Sequence, residues 1–119
     1  MSDELFERRR AVRRYALKFL DYEILSDRGE VIGRGLARTL NVSENGLLLE
    51  AGQCFEPGQI LRITIGLVND LVQVAGKVIH SRPVSDELCN AGIMFIEFEP
   101  AEQAIYQKHF AEIKSALKE

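Results

Sequence analysis

The 119-residue chain has no tryptophan, two histidines and two cysteines, and no apolar run that approaches the roughly 20 residues needed to cross a bilayer. Each shortage removes a class of function. Sites for single-stranded nucleic acid stack bases on aromatic platforms set in a basic groove. A chain without tryptophan, and with an acidic body, offers neither, so no DNA or RNA partner is expected. His80 and His109 lie in no recognised nucleophile motif, and neither a cluster of metal ligands nor a Walker-type loop is present. The chain is therefore expected to bind rather than catalyse, without metal or cofactor. Cys54 and Cys89 stand far apart in sequence and lack the close spacing of a zinc site, so two reduced, partly buried thiols are expected rather than a disulfide framework. The amino end lacks the apolar stretch of a secretion signal. These features predict a cytoplasmic protein without membrane insertion.

What is present fits one domain, because an apolar content of 46% over this length supplies a single core. The net charge is -3, unevenly placed. Residues 1–14 carry five arginines against Asp3, Glu4 and Glu7, a balance of +2. The remaining 105 residues carry ten basic and fifteen acidic side chains, a balance of -5. An acidic body opposes broad binding to nucleic acid or anionic membrane but leaves room for a small anion.

Along the chain, Tyr15, Leu17 and Phe19 alternate with period two, and Tyr22 and Ile24 continue in the opposite phase. One extra residue near Leu20 and Asp21 would reconcile them. Ser26-Asp27-Arg28-Gly29 has turn chemistry, and Val31 to Val42 returns as a partner strand. Further strands are predicted at Gly46 to Glu50, Ile60 to Val68 (with Ile63, Ile65 and Leu67 on one face), Leu71 to Arg82 and Ala91 to Phe98. About six short strands separated by turns describe a sandwich or barrel. Pro100 then suits a helix's first position, and Tyr106, Phe110, Ile113 and Leu117 repeat at three and four residues. This carboxy-terminal amphipathic helix is expected to pack on the barrel or cover an open end; pairing with another subunit or a target is the alternative.

Two motifs carry the chemistry. The first is the block Arg8-Arg9-Arg10-Ala11-Val12-Arg13-Arg14. Arginine's rigid fork grips phosphate oxygens in pairs, stacks on rings and donates to the O6 and N7 acceptors of guanine, so one residue type can hold both ends of a guanine nucleotide. A solvated tail is the plain alternative. The second is Asn41-Val42-Ser43-Glu44-Asn45-Gly46. A hairpin explains Asn45-Gly46, since both residues tolerate positive φ. Asn41 and Ser43 lie two apart at a strand end and so project from one face, opposite Leu40 and Val42. Together they can meet a base edge and a phosphate, although capping of the turn is a role open to both. His80 is in phase with Val74 and Val78, which predicts a satisfied histidine inside the barrel. Arg82 near a strand end reads as solvent-exposed, with a side contact to ligand as the alternative.

In this order the motifs resemble the PilZ domain family, whose pattern is RxxxR, a β hairpin and [D/N]xSxxG. Gly76-Lys77-Val78-Ile79-His80-Ser81-Arg82 followed by Gly92-Ile93-Met94-Phe95 is similar to the family's later strands, and the likeness runs from Glu7 to about Phe98. The resemblance implies a six-stranded antiparallel β-barrel with a carboxy-terminal helix: residues 1–14 a flexible leader, 15–98 the barrel, 99–119 the helix. It also implies binding of the second messenger cyclic di-GMP on the barrel's outer surface, through Arg9 and Arg13 or Arg10 and Arg14 together with Asn41, Ser43 and Gly46. The Glu7-Arg8-Arg9-Arg10 opening favours Arg9 and Arg13 as the motif pair. The phase of Tyr15 and Leu17 favours Arg10 and Arg14, and both pairs are carried forward. An unidentified effector protein would receive the signal. A family adaptor acting through protein contacts without nucleotide is the competing reading.

Overall fold

The computed structural model describes residues 18–67 and 70–118. Period-two burial runs through most strands and sets the architecture. In β4 (Ile60–Gly66), Leu61, Ile63 and Ile65 point inward while the residues between them are half-buried. The same alternation shapes β1 (Phe19–Leu25), β2 (Val31–Val42), β3 (Gly46–Ala51), β5 (Leu71–Pro83) and β6 (Cys89–Glu97). All neighbours are antiparallel, in the order β1-β2-β3-β6-β5-β4, and β1 pairs with β4 to close the barrel. Closure leaves no strand edge with unpaired backbone groups. This is the expected six-stranded barrel, and the expected helix follows it as α1 (Pro100–Leu117), with proline in its first turn.

The interior is filled by Leu20, Tyr22, Leu49, Leu61, Ile63, Val72, Val74 and Val78, all nearly or fully buried. α1 lies against β2 and β5, so its stripe packs on the barrel. Tyr106, Ile113 and Ala116 are buried there, and Phe110 and Leu117 are partly buried at the margin. Phe55, buried in the same core, meets Tyr22 edge-on at 5.1 Å.

Two expectations are overturned. No extra residue sits at Leu20 and Asp21: the β1–β2 ladder runs unbroken from Phe19↔Arg38 to Ile24↔Gly33, and its irregularity falls at Ile24/Leu25. Leu20, Tyr22 and Ile24 keep one inward phase, and Phe19 is half-buried on the outer face. Tyr15 and Leu17, which prompted the expectation, lie outside the described residues. The cysteines are also not separate thiols, because Cys54 and Cys89 form a disulfide with a Cα–Cα distance of 5.2 Å. Cys89 pairs with Ala51 at the end of the β3–β6 ladder. The chain turns back just after Ala51, so Cys54 returns beside Cys89 although 35 positions separate them in sequence.

Candidate functional site

Two β-bulges build one outer-surface site. In β2, Ala37 and Thr39 face inward, and strict alternation would carry Asn41 inward as well. The β2–β3 register instead steps from Thr39↔Leu49 to Asn41↔Leu48, leaving Leu40 as the extra residue. That step reverses the phase: Val42 becomes buried, while Asn41 and Ser43 are exposed. β5 does the same. Its register with β6 steps from Val78↔Ile93 to His80↔Gly92, so Ile79 is extra and both Ile79 and His80 turn outward. His80 is therefore not the interior histidine its phase with Val74 and Val78 predicts.

The bulged segments face one open cleft of about 380 Å³, within the usual range for small-molecule sites. Asn41, Ser43 and Gly46 line it from one side, and Ile79, His80 and Met94 from the other. Gly92 forms part of its floor, where any Cβ would collide with the His80 imidazole. Among the described residues no lysine or arginine lines the cleft. It offers amide and hydroxyl groups, an imidazole and apolar surface, but no fixed cation.

The turn between β2 and β3 is held from three directions. Internally, the Ser43 N–H and Oγ both donate to the Gly46 carbonyl, at 2.9 and 3.3 Å. From β6, the Phe95 N–H donates to the Asn45 carbonyl at 2.8 Å. From α1, the Tyr106 hydroxyl donates to the Ser43 carbonyl at 2.8 Å. Burial pushes the Tyr106 phenol well above the ordinary tyrosine range, so it stays a donor. The Asn41 Oδ1 accepts from the Val42 N–H at 2.9 Å, which leaves its amide NH2 to donate outward.

The positive φ expected at Asn45-Gly46 is absent; among the described residues only Gly29 and Gly58 adopt it. Gly46 is needed for close approach instead, because a Cβ there would run into the Ile93 carbonyl oxygen. Arg82 is exposed and does not line the cleft. Arg9, Arg10, Arg13 and Arg14 lie outside the described residues. The described chain nevertheless begins beside the site: the Thr39 N–H donates to the Lys18 carbonyl at 2.8 Å, two residues before Asn41.

Of the residues that line the cleft, the sequence motifs single out Asn41, Ser43 and Gly46; Ile79 and Met94 belong to neither motif, and the strand phase assigns His80 to the interior. The sequence offers one faint signal for these three: Ile79 breaks the alternation of Val72, Val74 and Val78 with an apolar residue at an outward position.

The model of the PilZ domain family matches residues 7–112, and the chain belongs to this family. Among solved structures, a Xanthomonas campestris pathogenic protein, described as a new tetrameric PilZ domain self-assembled via an unusual helical bundle, aligns with a TM-score of 0.50 and 16% identity. The alignment covers 92% of this chain and 56% of that one, so this chain spans little more than half the length of that protein. At that identity the likeness concerns the fold. No curated protein matches.

Proposed function

We propose that the chain is a receptor for cyclic di-GMP, held between the Asn41/Ser43 turn and the arginine-rich leader, and that binding is relayed to an effector protein. One observation carries the reading. The cleft presents hydrogen-bonding groups and apolar surface without a cation among the described residues, and Lys18, four positions after the arginine block, is tied by its carbonyl to Thr39, two residues before Asn41. Arg14 precedes Lys18 by four residues and Arg9 by nine, which at ~3.3 Å per extended residue places them within about 13 and 30 Å of chain reach. The leader can thus supply the charge that the cleft lacks. Arg9 and Arg13 grip phosphate and guanine in this scheme, with Arg10 and Arg14 as auxiliary contacts, while the Asn41 amide and Ser43 meet a base edge or phosphate. Ile79 and Met94 give the purine an apolar surface.

Closing the leader over the nucleotide costs roughly 1 to 2 kcal/mol per ordered residue, so several charge-assisted bonds must form together. The newly assembled surface is what an effector would recognise. The protein acts as a regulator in this scheme, by binding and without catalysis.

Titration calorimetry with cyclic di-GMP tests it. Heat should appear at micromolar concentrations and disappear in the Arg9→Ala/Arg13→Ala double variant. A folded wild-type protein that gives no heat refutes the reading. Capture of a partner that survives substitution of Arg9, Arg13 and Ser43 would establish the nucleotide-independent adaptor in its place.

A further inference from the structure

We propose that Tyr106 is a positioning residue for the Ser43–Gly46 turn, and that through it occupancy of the cleft is coupled to the seating of α1 on the barrel. The identity of the ligand here rests on the cyclic di-GMP reading. The coupling rests on geometry.

The Ser43 carbonyl sits within the binding motif, yet it takes its hydrogen from a side chain 63 positions away. That side chain is 1% exposed. Its ring lies 5.6 Å from Phe95, 5.5 Å from Phe98 and 5.8 Å from Phe110, centroid to centroid. A phenol wedged among three rings has little rotameric freedom, so its hydroxyl is a fixed post. Phe95, a member of the same cluster, donates its backbone N–H to the Asn45 carbonyl. Two carbonyls of the turn are therefore held by one aromatic cluster, of which α1 supplies Tyr106 and Phe110.

A peptide unit is planar, so fixing the Ser43 carbonyl also fixes the direction of the Glu44 N–H at its other end. The turn is consequently arranged before ligand arrives, and the ordering that binding would otherwise require is avoided. α1 packs on β2 and β5, the two bulged strands that flank the cleft. Near its start, Glu102 accepts from the Gln73 N–H of β5 at 3.0 Å. Linkage makes the coupling reciprocal: if a seated α1 favours the ligand-ready turn, ligand on the turn favours a seated α1.

The test compares wild type, Tyr106→Phe and Phe110→Leu by amide exchange and calorimetry. Tyr106→Phe keeps the ring and removes only the hydroxyl, while Phe110→Leu trims the same cluster and leaves the hydrogen bond. In the free protein, Tyr106→Phe should speed exchange across Ser43–Gly46 about tenfold while β4 amides stay protected, and Phe110→Leu should leave the turn unchanged. With cyclic di-GMP, wild type should show slowed exchange over Pro100–Leu117. Tyr106→Phe should bind about tenfold more weakly and lose that slowing. Unchanged turn exchange and unchanged affinity in Tyr106→Phe overturn the coupling and leave the ligand reading standing. A wild-type protein that binds no nucleotide, while Tyr106→Phe still loosens the turn, overturns the ligand reading and supports the positioning role of Tyr106.

Discussion

Replacing Gly46 with alanine should be among the most damaging single-methyl additions in this protein, and the structure shows why. Gly46 pairs with Met94 where β3 begins beside β6, and a Cβ at that position would run into the Ile93 carbonyl oxygen. Backbone cannot swing aside as a flexible side chain can. To restore an ordinary C···O separation of about 3.3 Å or more, the two strands must part by roughly 1 Å. That movement strains the Phe95 N–H to Asn45 carbonyl bond at 2.8 Å and the Ser43 N–H to Gly46 carbonyl bond at 2.9 Å. Overpacking costs about 1 to 3 kcal/mol and each weakened bond about 1 kcal/mol, so a loss of about 3 kcal/mol is expected. At about 4 °C per kcal/mol for a domain of this size, the melting temperature should fall by about 12 °C. Gly52→Ala is the control: it has ordinary negative φ and no heavy atom within 4 Å of the added methyl. Its effect should lie within about 1 kcal/mol and favour stability. Thermal denaturation followed by circular dichroism reads both. If the two variants melt within a couple of degrees of each other, the close-approach explanation of Gly46 is wrong.

Other outcomes follow from the same structure. Opening the Cys54–Cys89 bond releases a constraint spanning 35 residues, worth about 4 kcal/mol on the chain-entropy account; the melting temperature should drop by about 15 °C in reductant or in Cys54→Ser, and an unchanged melt in reductant would show that the bond contributes nothing. His80→Ala should shift the melt by less than about 2 °C because the ring is outside the barrel, whereas a loss of 2 kcal/mol or more would place it in the core. Tyr106 titrates above its ordinary value of 10.0 in the folded state because it is buried. Below pH 10 both folded and unfolded chains hold that proton and its contribution is complete. Above pH 10 the unfolded chain releases the proton first, so stability should fall by up to about 1.4 kcal/mol per pH unit. Urea denaturation at pH 9 and 11 should show this extra loss in wild type but not in Tyr106→Phe, and parallel losses would refute the assignment.

The alternation of Leu61, Ile63 and Ile65, the Ser26–Gly29 turn and the three-and-four spacing of Tyr106, Phe110 and Ile113 are local patterns, and the strands and helix they predict are present. Asn41 and Ser43 were legible as an outward pair, although the cause was not. Carried on from Ala37 and Thr39, strict period two turns Asn41 inward, and only the extra residue at Leu40 restores its outward face. The same reasoning failed at His80, where the alternation of Val74 and Val78 was extended through a bulge it could not register. A bulge is settled by which partner groups the neighbouring strand offers, and that information lies elsewhere in the chain.

The linear sequence by itself determined how many strands form, where they turn, where the helix begins and which polar motif accompanies them, because propensity, alternation and turn chemistry act over a few residues. Tertiary structure decided the rest. It closed β1 onto β4, shifted the inward–outward phase of two strands at Leu40 and Ile79 to make one cleft from distant segments, joined Cys54 to Cys89 and set the Tyr106 hydroxyl against Ser43. Each of these depends on groups separated by tens of residues meeting in space, and only the cooperative packing of a closed barrel brings them together.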